Sequence, residues 1–116
     1  MDTMFYLKED TLVVCLSGEI DHHVAERLRN DIDAQIQTYA AKNLILDFSD
    51  VSFMDSSGIG VVLGRYKKLA AVGGTVMIQN ADRLIRQILD MSGIFSLMPY
   101  RETKDKEEEE TWKVIM

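Results

Sequence analysis

The sequence predicts an α/β domain: a small mixed sheet, made of an N-terminal hairpin plus parallel strands, with about four helices packed on it. Two observations predict it. After two short β-branched apolar runs, segments of helical period alternate with further apolar runs, and such connections make neighbouring strands parallel. No linker or internal repeat divides the 116 residues, a length that suits one core and is too short for two. The expected organisation is therefore one domain over 1–116, with 1–101 as its core and 102–116 as a charged C-terminal helix.

MFYLK (4–8) and TLVVCLS (11–17) flank Glu9-Asp10 and read as the hairpin. Beyond Gly18 the apolar residues Val24, Leu28, Ile32, Ile36 and Tyr39 or Ala40 recur every three or four positions, and Asp21 is placed to cap the helix they define. LILDF (44–48) is a nearly continuous apolar run, expected as a central strand. From Ser57 the set Ile59, Val62, Leu63, Tyr66, Leu69 and Ala70 has helical period, ended by Gly73-Gly74. TVMIQ (75–79) is the next strand. Asn80 is expected to cap a helix bearing Leu84, Ile85, Ile88 and Leu89, and IFSLM (94–98) is expected as a last strand that Pro99 confines to an edge. ETKDKEEEETWKVIM is the charged helix, anchored by Trp112 and Ile115.

Composition narrows the function. The net charge of -6 comes with no basic patch, which disfavours nucleic acid and anionic membrane as partners. No apolar run approaches the roughly 20 residues that span a bilayer, and no basic-then-apolar leader opens the chain. Cys15, the single cysteine, has no internal disulfide partner and suits a reducing compartment, so a cytoplasmic location is expected.

His22, His23 and the pair Ser56-Ser57 raise the question of catalysis. A histidine would have to act as base for the serine, oriented by Asp21 or Asp55. The local pattern is M-D-S-S-G, and the nucleophile elbow needs G-x-S-x-G. Adjacent histidines on a helix point about 100° apart, and no cluster completes a metal shell. Neither an enzyme nor a metal site is expected. Gly58, Gly60 and Gly64 are spaced G-x-G-x-x-x-G with no G-K-[ST] following, which departs from both phosphate-loop patterns. No cofactor is expected, though a regulatory module binding a nucleotide or other anion stays open. The plain structural role for these glycines is that Gly60 and Gly64 bring the helix close to the sheet while Gly58 permits a tight entry.

That role leaves Asp55-Ser56-Ser57 unexplained. The apolar pair Phe53-Met54 should plug into the core, after which the chain must surface and start a helix with Asp55 or Ser56 as its cap. Capping requires one such residue. Three in a row beside Gly58 make a bare, polar, positively polarised helix start, suited to an anion or to an approaching enzyme. A cap residue has non-helical backbone and an outward hydroxyl, which favours Ser56 over Ser57 as the presented group.

FMDSSGIGVVLGRYK, with GEIDHHVAERL before it and LDMSGIF after it, resembles the STAS family. The likeness runs in one register from about Leu12 to Met98. DSSG followed by G-x-G after a strand is similar to the phosphorylatable bacterial branch, and DHH to its sporulation members. The resemblance implies a regulatory switch: an anti-anti-sigma factor whose unphosphorylated form binds an anti-sigma factor that is also a serine kinase, freeing the sigma factor. A metal-dependent phosphatase reverses the kinase. Carried onto this chain, the resemblance makes Ser56 the phosphoacceptor and Asp21, His22, Asp55, Ser57, Gly58 and Gly60 partner-binding, the glycines keeping the surface flat for the kinase. Nothing carries over to the acidic C-terminal segment.

Overall fold

The computed structural model describes residues 3–103 and 112–115. Its strands are β1 (Met4–Lys8), β2 (Thr11–Ile20), β3 (Asn43–Met54), β4 (Thr75–Gln79), β5 (Tyr100–Arg101) and β6 (Lys113–Val114). Its helices are α1 (His22–Tyr39), α2 (Ser56–Ala70) and α3 (Arg83–Met91), followed by a 3₁₀ turn at Ile94–Ser96. The sheet order is β5-β4-β3-β2-β1-β6. β1 pairs antiparallel with β2 and with β6, and β2 through β5 run parallel.

Each crossover from β2 to β5 steps in the same direction along the sheet. Right-handed connections then put all three helices on one face. The burial agrees: Leu12, Val14, Leu16, Leu44, Leu46, Phe48, Val76 and Ile78 share one core with Leu28, Ile32, Val62, Leu69, Ile85 and Leu89. The opposite face carries Tyr6, Val13, Ile45 and Met77 in a single row of paired positions. Next to that row Asp47, buried in β3, accepts hydrogen bonds from Ser49 N and Oγ and from the amides of Gln79 and Asn80 at 2.6–3.0 Å.

β3 is longer than expected. The segment after Phe48 continues as strand to Met54, because it pairs with β2 through two register shifts. Cys15 and Ser17 pair with Asp47 and Asp50, then Gly18 and Glu19 pair with Val51 and Phe53, so β3 carries one extra residue at each step. Each extra residue reverses which face the next one meets. Phe48, Val51 and Met54 are thereby all buried at a spacing of three. The same reversal corrects one expectation: Met54 plugs into the core, but Phe53 is 45% exposed.

Other elements also differ from expectation. Among the described residues there are three α-helices, where about four were expected over the whole chain. Asp82 caps α3 through Ile85 N at 2.9 Å; Asn80 instead takes a left-handed φ of 59° and exchanges hydrogen bonds with Thr103. Ile94–Ser96 of IFSLM form a 3₁₀ turn, in which Ser96 N donates to Gly93 O at 3.1 Å and Leu97 N to Ile94 O at 3.0 Å, and the turn buries Ile94 and Met98. The edge strand follows it at Tyr100–Arg101. Most of the charged helix expected over 102–116 lies outside the described residues. Its end is strand, with Lys113–Val114 paired to β1 and Ile115 N donating to Phe5 O at 3.0 Å.

α1 and α2 pack side by side. Near their far ends Arg65, 3% exposed, meets Asp33 at 2.8 Å, off hydrogen-bond alignment, and Lys68 meets the same carboxylate at 2.8 Å. Burial lowers the Arg65 pKa from its ordinary value, and Asp33 opposes that shift.

Candidate functional site

β2 and β3 are parallel neighbours, and Ile20 pairs with Met54 at their ends. The next residue in each chain segment is an aspartate. Asp21 caps α1, its Oδ1 accepting from His23 N at 3.0 Å and Val24 N at 3.1 Å. Asp55 caps α2, its Oδ1 accepting from Ser57 N at 2.8 Å. Asp55 N donates to Ile20 O at 3.2 Å, which ties the second helix start to the strand that feeds the first. Two helix N-termini thus lie side by side at the carboxyl end of the sheet, where orphan amides and the positive dipole ends gather.

The sequence left Asp55 and Ser56 as alternative caps. The structure assigns the cap to Asp55, so Ser56 is the first helical residue and loses the backbone argument that favoured it. Its side chain remains exposed, whereas Ser57 is half-buried and turned toward α1.

Gly58 permits the tight entry expected of it, whereas the close packing expected of Gly60 and Gly64 is absent. A Cβ on Gly58 would collide with Met54 Cγ and Sδ and come within 3.2 Å of Ile20 Cγ2. Gly58 is therefore buried packing at the helix entry, not part of the approach surface. A Cβ on Gly60 or Gly64 meets nothing within 4 Å, so neither is needed for close packing of α2 on the sheet. Gly60 is exposed, and it keeps the surface beside Ser56 low.

His22 and His23 are exposed, their rings 4.0 Å apart between centroids. His22, Ser57 and Gly60 line a cleft of about 540 Å³ between α1 and α2, together with Ala25, Glu26, Arg29 and Val61. Three of the sequence-predicted residues are brought together there. Glu26 and Arg29 were missed. They lie one helical turn and two turns beyond His22, a spacing that puts them on its face of α1. Among the described residues neither histidine hydrogen-bonds a DSSG hydroxyl, and no cluster of three or more His, Cys, Asp or Glu is placed to hold a metal. No helix among them is long and apolar enough to cross a membrane. A larger groove of about 870 Å³ lies between α3 and β5, lined by Arg83, Arg86, Phe95 and Tyr100 among others. It includes none of the sequence-predicted site residues.

Comparison with known proteins bears on the family and the fold. The STAS domain model matches residues 3–109. The anti-sigma F factor antagonist of Paenibacillus polymyxa is 42% identical over 88 residues, spanning 76% of this chain and 75% of that protein. The structure of the anti-sigma factor antagonist SpoIIAA in its unphosphorylated form superposes with a TM-score of 0.79 at 33% identity, covering 94% of each chain. SpoIIAA in the phosphorylated form, described as a Bacillus cell fate determinant, gives 0.74 at 33% identity over 94% of this chain and 97% of that one. With the STAS domain model matching residues 3–109 and a relative 42% identical over about three quarters of each chain, the chain belongs to the STAS domain family.

Proposed function

We propose that this protein is an anti-sigma factor antagonist of the sporulation type, switched by phosphorylation of Ser56. The unphosphorylated form binds an anti-sigma factor that doubles as a serine kinase and so frees the sigma factor. A metal-dependent phosphatase restores that form. The observation that carries the proposal is the α2 start: an exposed serine on an aspartate-capped helix end, with Gly60 beside it and, among the described residues, no histidine hydrogen-bonded to it. Two likenesses support this reading: a relative named an anti-sigma F factor antagonist, and a similar structure, SpoIIAA, solved in a phosphorylated form. In this reading Asp21, His22, Asp55 and Ser57 form the partner-binding set with Ser56, and His22 and Ser57 line one cleft between α1 and α2. Gly58 contributes by fixing the helix entry and Gly60 by leaving room.

Two effects of a phosphate at Ser56 oppose each other. It adds about -1.5 to -2 charges, which the helix-start amides stabilise by roughly 0.3 to 2 kcal/mol, so the fold tolerates it. In a closed interface the same dianion lies beside Asp55 and must lose water, at a cost of order several kcal/mol per buried ion. Because about 1.4 kcal/mol is tenfold, a net penalty near 4 kcal/mol weakens binding about a thousandfold. The interface effect dominates, and phosphorylation releases the partner without refolding. The test is calorimetric titration of the kinase with both forms. Equal affinity of the two forms contradicts the switch.

A further inference from the structure

Phe53 is 45% exposed and lies outside the hydrophobic core cluster. It sits on the segment that carries Ser56, yet the second extra residue in β3 turns it out of the core while its neighbour Met54 goes in. The other phenylalanines are used otherwise. Phe5 and Phe48 are fully buried, and Phe95 packs on Tyr100 at 5.3 Å. Bulges of this kind recur where a sheet re-aims a side chain next to a functional site. The pairing of β3 with β4 also ends at Asp47 and Gln79, so the stretch holding Phe53 extends beyond β4.

The helix start itself is poor in contact area. Ser56, Ser57, Gly58 and Gly60 have little or no side chain, and Ile59 is partly buried against the core. A protein partner that must hold Ser56 in register needs an apolar anchor, and aromatic side chains are the usual ones at interface centres. Of the exposed large apolar side chains, Phe53 is the one on this segment, three residues before Ser56. The segment is held rigid by the Asp55 N to Ile20 O bond and by buried Met54.

We infer that Phe53 is the apolar anchor by which the serine kinase holds this protein, filling an apolar pocket on the kinase surface beside its active site. The inference rests on the proposed phosphorylation switch and adds a contact that specifies the partner without taking part in phosphate transfer.

The experiment compares wild type, Phe53→Ala, Phe53→Leu and, as a distant exposed control at the other end of α3, Met91→Ala, with the kinase and ATP. The readouts are kinase affinity, KM and kcat for phosphorylation, and thermal melting. Phe53→Ala should lose at least about tenfold in affinity and raise KM in proportion, with kcat and the melting temperature unchanged. Phe53→Leu should recover most of the affinity, and Met91→Ala should match wild type. Phe53→Ala indistinguishable from wild type overturns the anchor and leaves the phosphorylation switch standing, as does an equal loss in Met91→Ala. A wild-type protein that the kinase neither binds nor labels overturns the switch itself.

Discussion

The starts of α1 and α2 share one local design and carry opposite loads. Each follows a parallel strand end, each is capped by an aspartate in extended backbone, and a backbone hydrogen bond links the two. After Asp21 come two aromatic rings and a charged face: His22, His23, Glu26 and Arg29. After Asp55 come two hydroxyls and glycines, with no charge until Arg65. Capping and dipole alone therefore do not make a site, since both helices have them. What separates the two is side-chain bulk: α1 forms a wall beside the cleft, and α2 forms a low floor with one accessible hydroxyl.

The largest way to break this comparison is to load the floor with charge. Ser56→Glu should weaken kinase binding by two to three orders of magnitude, following the desolvation argument above. Its melting temperature should stay within a few degrees of wild type, as expected for an exposed first-turn carboxylate. The corresponding charge on the wall, His22→Glu, should weaken binding far less. Titration calorimetry with parallel melting measures both.

Next in size is the helix entry. Gly58→Ala forces Met54 and Ile20 apart, and overpacking of this kind costs about 1–3 kcal/mol, more than the roughly 1 kcal/mol that alanine gains in a helix. Urea denaturation should show the loss, whereas Gly60→Ala, which meets open space, should gain about 0.5–1 kcal/mol. The reverse ranking would mean that the two glycines have been assigned the wrong roles.

The caps sharpen the contrast at the level of about 1 kcal/mol. Asp21→Ala removes an acceptor shared by two amides and Asp55→Ala one serving a single amide, so denaturation should show the larger loss for Asp21, within the usual 0.5–2 kcal/mol. Phosphorylation should show the opposite order, because Asp55 sets the first turn that presents Ser56.

Much of this arrangement was legible in the sequence. The hairpin and the strands at 44–48 and 75–79 followed from their apolar runs and three helices from helical period, and the run of hydroxyls after an apolar pair marked the α2 start. β3 was cut short because two bulges give its outer half an apolar spacing of three, which matches neither strand nor helix period. Phe53 was misplaced for the same reason. IFSLM was ambiguous because an apolar run of five satisfies strand and helical turn alike, and only packing of Ile94 with Met98 decides it. Gly58 and Gly60 look equivalent in sequence. What lies above each Cα separates them, and that depends on Met54 and Ile20 arriving from two different strands.

The central claim is that Ser56 accepts the phosphate. Intact mass of wild type, Ser56→Ala and Ser57→Ala after incubation with the cognate anti-sigma serine kinase and ATP tests it most directly. One phosphate on wild type and on Ser57→Ala, and none on Ser56→Ala, is the predicted result. Persistent labelling of Ser56→Ala, or no labelling of wild type by an active kinase, would contradict it.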